Sequence, residues 1–269
     1  MFYKKYSPSL ALQPYIYCYY LWEQTDPSTA FVELYTPPNG YGGLVINYGE
    51  PSSVMAPQEK WTKLPKSFLV GQFTQGYSLR LSKHLGMVGV AFWPAGMSYL
   101  LGIAMPDLTD QRVELELVLG NDASLLEEQI LESHSGSQRI AVLDRFFLDK
   151  LYASPPTLDL IDKAFSTILH HKGIISISSL VNESHLGARQ FRRRFIEKIG
   201  IPPKLYSRIK RFNYISTLSG VSDCCWMDIV HHGGYYDQAH FIKDFCAFSG
   251  KKPTEYIKNR RDLAMLFSA

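Results

Sequence analysis

The stretch from Met227 to Pro253, MDIVHHGGYYDQAHFIKDFCAFSGKKP, constrains the fold of its part of the chain most. Asp228-Ile229-Val230-His231-His232 reads as one or two helical turns. Gly233-Gly234 supplies the freedom of a tight turn, where a positive φ is expected. Asp237 is placed to cap the next helix, because its carboxylate can accept from the free N–H groups of the first turn. Phe241 and Phe245 lie four apart, share one face and pack inward. Gln238, His240, Lys243 and Asp244 fall largely on the other faces. Gly250 and Pro253 end the helix. Two helices joined by a short glycine turn, the second carrying polar donors, form the helix-turn-helix pattern of DNA readers.

The same spacing occurs earlier. Residues 177–184 read as a short helix, His185-Leu186-Gly187 as a turn, and Ala188 to Lys198 as a second helix. Phe191 and Phe195 repeat the spacing of Phe241 and Phe245. Arg189, Arg192, Arg193 and Lys198 are expected outward. Four arginines within six residues repel one another, so a purely decorative role is disfavoured. Arginine pairs bidentately with guanine O6 and N7 or with phosphate oxygens. Pro202-Pro203 opens a connecting helix to about Leu218, about 24 Å long at 1.5 Å per residue. That scale suits two readers on one duplex turn. Arg208, Lys210 and Arg211 on it are expected as phosphate contacts or solvated charges.

The string GYYDQAHFIKDFCAFSGKKPTEY closely resembles the second helix-turn-helix of the AraC/XylS family of bacterial transcription regulators. The resemblance runs from Ile229 to Tyr256 and is specific at Gly234, Tyr235, Asp237, Gln238, His240, Phe241, Phe245, Gly250 and Pro253. Val230 stands where the family usually has Ala, and Gly233 where it has a larger apolar residue. In the first unit His185 replaces the usual Gly, and Gly187 the usual Ser cap. By this resemblance Arg189, Arg192 and Arg193 are base-reading candidates, with Gln190 on the same helix among the DNA-binding residues. Arg194 is divided between core edge and phosphate. Ala239, His240 and Lys243 of the second unit face the groove, with Gln238 at its mouth. Ala239 offers only a methyl contact, suited to thymine.

Residues 1–105 are rich in Tyr, Phe, Val and Gly and broken by Pro. Segments 15–22, 43–48, 68–71, 77–81 and 87–92 alternate or cluster β-prone residues at short intervals, which predicts a β-barrel or sandwich. Short helices follow at 96–102 and 125–131, then a longer one at 140–152. There Ile140, Leu143, Phe147 and Leu151 form an apolar stripe that packs either on its own barrel or on a partner subunit. The segments from Tyr35 to Val118 (Pro38-Asn39-Gly40, Leu44 to Gly49, Gly89 to Gly96, Pro106 to Asp110) resemble the cupin-like N-terminal domain of one subgroup of the same family. Ala91 and Trp93 stand where that subgroup often has Arg. Ala153-Ser154-Pro155-Pro156 reads as a linker, and Thr157 as the cap of a helix to His170.

Charge divides at the linker. Residues 1–156 hold 11 Lys+Arg against 15 Asp+Glu, net −4, and residues 157–269 hold 17 against 10, net +7. This is the layout expected when one half meets a polyanion. No run of eighteen apolar residues occurs, so no membrane span is expected, and the N-terminus lacks the pattern of a signal peptide. Cys18, Cys224, Cys225 and Cys246 form no disulfide framework and have no zinc-like spacing, which fits a reducing cytoplasm. His84 and His134 are the histidines of the N-terminal half, with no His-x-His, so neither a metal nor a cofactor is expected. Phosphate-loop and nucleophile-elbow motifs do not occur.

The expected fold class is α+β and multidomain. Residues 1–153 form a β-rich, cupin-like sensor or dimerisation domain with a helical tail, and residues 157–265 an all-α double helix-turn-helix domain. The resemblance implies a cytoplasmic, sequence-specific regulator and activator, not an enzyme. Its expected partners are double-stranded DNA, a second copy, a small-molecule effector and RNA polymerase. Two alternatives stand beside it: an effector-independent constitutive dimer, and an enzyme or DNA-repair protein using the helix-turn-helix units only for targeting.

Overall fold

The computed structural model describes residues 1–24, 32–218, 230 and 232–258. Its N-terminal half holds two antiparallel sheets. In chain order the strands are β1 (Phe2–Tyr6), β2 (Ile16–Glu23), β3 (Glu33–Thr36), β4 (Gly42–Asn47), β5 (Ser53–Met55), β6 (Thr62–Lys63), β7 (Ser67–Val70), β8 (Tyr77–Arg80), β9 (Gly86–Phe92) and β10 (Arg112–Glu114). One sheet has the order β1-β2-β9-β4-β7-β10 and the other β3-β8-β5-β6.

Side chains alternate across a strand, so each strand of the larger sheet serves two cores. Tyr19, Leu21, Leu44, Ile46, Val88 and Phe92 point to one face and join the helices. Tyr20, Trp22, Val45, Phe68 and Met87 point to the other and meet Leu34 and Leu79 of the smaller sheet. Gly89 pairs with Tyr20 across β2 and β9. A Cβ there would lie 2.2 Å from Tyr20 Cζ, so only glycine lets that ring lie flat across the sheet.

Helices cover the first face: α1 (Gly96–Leu101), α2 (Leu115–Leu119), α3 (Asn121–Glu132) and α4 (Gly136–Ala153). Ser135 and Gln138 close a capping box at the start of α4. The Ile140, Leu143, Phe147 and Leu151 stripe packs on its own sheet, with Phe147 fully buried edge-to-face on Phe92 at 5.3 Å. Of the two fates open to that stripe, a partner seam is therefore excluded.

The C-terminal half contains α5 (Leu160–His170), α6 (Ile177–Glu183), α7 (Ala188–Ile199), α8 (Pro203–Leu218), α9 (Gln238–Ser249) and α10 (Pro253–Lys258) among the described residues. Asp159, not Thr157, caps α5, in a reciprocal box with Asp162. Asp159 wins because it sits directly before the first helical residue and its Oδ1 accepts from Ile161 N at 2.7 Å. Phe191, Phe195, Tyr206, Phe212, Phe241 and Phe245 share one core. Each such burial stabilises by about 1.5–3 kcal/mol. Segments Ser219–Gly220, Cys224-Cys225 and the chain beyond Lys258, all assigned in the sequence reading, lie outside the described residues.

The two halves also touch. Ala95 and Tyr99 of the N-terminal half join the helical core. Thr109 Oγ1 donates to Gly200 O at 2.8 Å, and the Tyr35 hydroxyl donates to Phe248 O at 3.0 Å.

Candidate nucleic-acid interface

Helix α7 begins after a sharp turn. His185 adopts φ +53°, in the left-handed region that glycine enters most readily. Gly187 follows as an N-cap that makes no side-chain hydrogen bond. Phe191, Phe195 and Ile199 are fully buried on one face. The opposite face exposes Arg189, Gln190, Arg192 and Arg193 side by side. Arg193 meets Glu197 at 3.8 Å with both side chains well exposed, a pair too solvated to hold the guanidinium back.

Two other cations of α7 are committed inward. Arg194 pairs with Asp159 at 3.0 Å. Lys198, expected outward, is instead mostly buried and reaches Asp159 at 2.8 Å and Asp162 at 3.1 Å. The cause is the acidic cap of α5: its two carboxylates sit over this side of α7 and draw the ammonium in. The Asp159 carboxyl is burdened by burial but held below its usual range by Lys198, the Ile161 amide and Arg194. The Tyr99 hydroxyl also bonds Asp162, and burial together with that carboxylate pushes its pKa up.

Helix α9 starts at Asp237, whose Oδ1 accepts from His240 N at 2.7 Å. Phe241, Phe245 and Phe248 are buried, while Gln238, Ala239, His240 and Lys243 are exposed. Asp244, expected on an outer face, is buried and accepts from Arg208 Nη2 at 2.7 Å. It lies three residues beyond Phe241 on the inner side of the helix, facing α8, where Arg208 neutralises it. Before the helix, Gly234 has φ +61°, and a Cβ there would sit 2.7 Å from Ile174 Cγ2. The helical turns expected at Asp228–His232 lie outside the described residues apart from Val230, which is buried, and His232.

Arg208, Lys210 and Arg211 of α8, expected as phosphate contacts or solvated charges, each have a partner within the chain. Arg208 belongs to Asp244. Arg211 donates to Gly173 O at 3.3 Å and lies over the Tyr235 ring at 5.1 Å. Lys210 is 6% exposed and donates to Asn39 O at 2.8 Å. Its ammonium lies 3.8 Å from the Tyr41 ring centroid and 5.4 Å from that of Tyr206. Burial pushes its pKa down to about 7. A carbonyl and two aromatic faces stand where a carboxylate would ordinarily be. Asn213 Nδ2 donates to the same Asn39 oxygen at 3.0 Å. The Asn39-Gly40 turn was legible as a turn, but its docking onto α8 was not. A lysine within the apolar series Tyr206, Ile209 and Phe212 was the available signal.

Between the two sheets lies a cavity of about 110 Å³. Its walls are mainly apolar and include Asn39 and Tyr41 of the docking turn. Among the described residues no helix is long and apolar enough to cross a membrane, and no group of three or more His, Cys, Asp or Glu is placed to hold a metal. Cys18 is buried in β2, and burial pushes its thiol up to about 11.

Residues 4–114 match a family model described as a domain of unknown function, DUF6597. No curated protein matches the sequence significantly. Among solved structures the chain is similar to ToxT from Vibrio cholerae, with 15% identity over 89% of this chain and 97% of that one, at a TM-score of 0.47. It is similar also to unsaturated-fatty-acid-bound ToxT from Vibrio cholerae, with 15% identity over 88% and 93% and a TM-score of 0.45. The AraC-like transcriptional activator CuxR gives 16% identity over 74% and 73%, at a TM-score of 0.27.

Proposed function

We propose that this chain is a sequence-specific, DNA-binding transcription regulator of the AraC type. The observation that carries the reading is the outer face of α7. Arg189, Gln190, Arg192 and Arg193 stand together in solvent while Phe191 and Phe195 anchor the helix beneath them. A rigid helix with adjacent bidentate donors suits the major groove. Arg189, Arg192 and Arg193 read base edges, and Gln190 joins them. Arg194, tied to Asp159, positions the helix and reaches a phosphate at most from its free edge. In the second unit Gln238, His240 and Lys243 contact backbone and groove, and Ala239 offers a methyl group to thymine. The second unit therefore lengthens and orients the site more than it specifies it.

Residues 1–153 act as the sensing domain and residues 157–265 as the reader. A small-molecule effector occupies the cavity between the sheets, and the Asn39–Tyr41 turn connects that cavity to Lys210 on α8. A homodimer and contact with RNA polymerase complete the scheme of an activator in a bacterial cytoplasm. The dimer seam has to lie elsewhere than on the Ile140–Leu151 stripe.

The test is selection of bound duplexes from random DNA with the full chain, followed by titration of the winning site with salt. One enriched sequence and a steep fall of affinity with salt support the reading. No enrichment over random duplex, or a flat salt slope, overturns it.

A further inference from the structure

The cavity between the sheets has a chemical signature beyond its size. Val45, Phe68 and Leu79 contribute apolar wall, and among the described residues no Asp or Glu lines it. Three lining residues carry buried polar atoms with no hydrogen-bond partner: Trp22 Nε1, Thr36 Oγ1 and Arg112 Nη2. Trp22 is 3% exposed and Thr36 6%. An indole N–H and a guanidinium can only donate, and a threonine hydroxyl can donate as well. What is missing from this set is therefore an acceptor. Arg112 also lies over the rings of Tyr77 at 4.1 Å and Phe73 at 4.4 Å. Those contacts occupy the faces of its guanidinium and leave the donors at its edge for a ligand.

A cation does not fit this donor set. A sugar would meet too few polar partners for its hydroxyls. An inorganic anion would satisfy Arg112 but leave the apolar wall unfilled. An apolar cavity of about 150 Å³ takes benzene, about six non-hydrogen atoms, so a site of about 110 Å³ takes a ligand of that size or smaller. We propose that the cavity binds a small apolar monocarboxylate, its carboxylate on Arg112 and its hydrocarbon body against Val45, Phe68 and Leu79. This deepens the effector reading given above and rests on it. Asn39 and Tyr41 line the same cavity, so the bound acid lies against the turn that holds Lys210.

The experiment uses the full chain, with butyrate and isobutyrate as probes and butyramide and isobutyramide as their neutral counterparts. Binding is followed by calorimetry and by the melting temperature. At least one acid is expected to raise the melting temperature in a concentration-dependent way, and to bind about tenfold or more tightly than its amide. Arg112→Gln is expected to remove that preference while leaving amide binding in place; retained amide binding shows that the variant is folded. The proposal is overturned if acid and amide bind alike, if Arg112→Gln leaves the preference intact, or if neither acid binds at millimolar concentration. Affinity for the selected duplex is measured in the same samples. Acid binding without any sequence-specific DNA binding would sink the regulator reading and leave the cavity's ligand class standing.

Discussion

Helices α7 and α9 share one scaffold and differ in what they present. Each buries two phenylalanines four residues apart in a common core, and each opens after a tight turn. Yet α7 exposes three arginines and a glutamine, and α9 exposes a glutamine, an alanine, a histidine and one lysine among the candidate positions. Their supports differ too. Helix α7 is tied to α5 through Arg194 and Lys198 on Asp159 and Asp162, and to the N-terminal half through Lys198 on the Tyr99 hydroxyl and Thr109 on the carbonyl of its capping residue Gly200. Helix α9 is tied to α8 through Asp244, and to the N-terminal half through Tyr35 on the Phe248 carbonyl. The lesson is that a duplicated motif keeps its core and divides its duties. One copy supplies the denser set of donors, while both are joined to the N-terminal half.

The largest effect should be common to both copies. Phe195→Ala and Phe245→Ala should each destabilise by about 3–5 kcal/mol, read by urea unfolding followed by circular dichroism. A cost under about 1 kcal/mol for either would show that its helix is not part of the shared core. The contrast in donors is tested next. Arg192→Ala should lose about 1–3 kcal/mol on the selected duplex, and Lys243→Ala clearly less. An equal loss on random DNA would reduce Arg192 to a phosphate contact.

The two supports should also differ in strength. Asp244→Asn leaves Arg208 without its buried partner and should cost about 1–3 kcal/mol. Asp159→Asn should cost about 0–1 kcal/mol, because that pair is partly solvated and asparagine still caps α5. The reverse order in unfolding experiments would break the comparison.

The last effect concerns Lys210. Its folded pKa is lowered from 10.5 to about 7, so between those values the unfolded chain binds more protons than the folded one. Stability should therefore rise with pH across that window, by at most about 1.4 kcal/mol per unit, and show no contribution from this group below it. Subtracting the Lys210→Met curve from that of the unaltered chain between pH 7 and 9 isolates the term. A flat difference would mean that the ammonium keeps an ordinary affinity for its proton.

What the sequence disclosed follows from what is local. The spacing of Phe191, Phe195, Phe241 and Phe245, the cap at Asp237 and the stops at Gly250 and Pro253 are decided within a turn or two, and all were readable. Short strands such as β5 and β6 were not, because three-residue and two-residue segments carry no period of their own. Lys198, Asp244 and Lys210 were misplaced for a different reason. Helical spacing assigns a charged residue to an outer face, whereas their true setting depends on partners 36, 36 and 171 residues away. The apolar stripe of α4 was seen, but only the sheet beneath it decided what it covers. Arg112 gave no signal at all, since its role depends on the meeting of two sheets.

The aromatic setting of the Asn39–Tyr41 turn gives the molecule two natural optical reporters. Trp22 lines the cavity. Trp93 lies 5.0 Å from the Tyr17 ring and 5.8 Å from the Tyr41 ring, and Tyr41 in turn faces the Lys210 ammonium. Indole emission responds to nearby charge and to water, so the first indole senses what enters the cavity and the second senses whether α8 remains docked. With Trp61 and Trp226 already replaced by phenylalanine, replacing one of the two remaining indoles at a time would separate the two signals, and the interval between them in a rapid-mixing trace would give the order of filling and release.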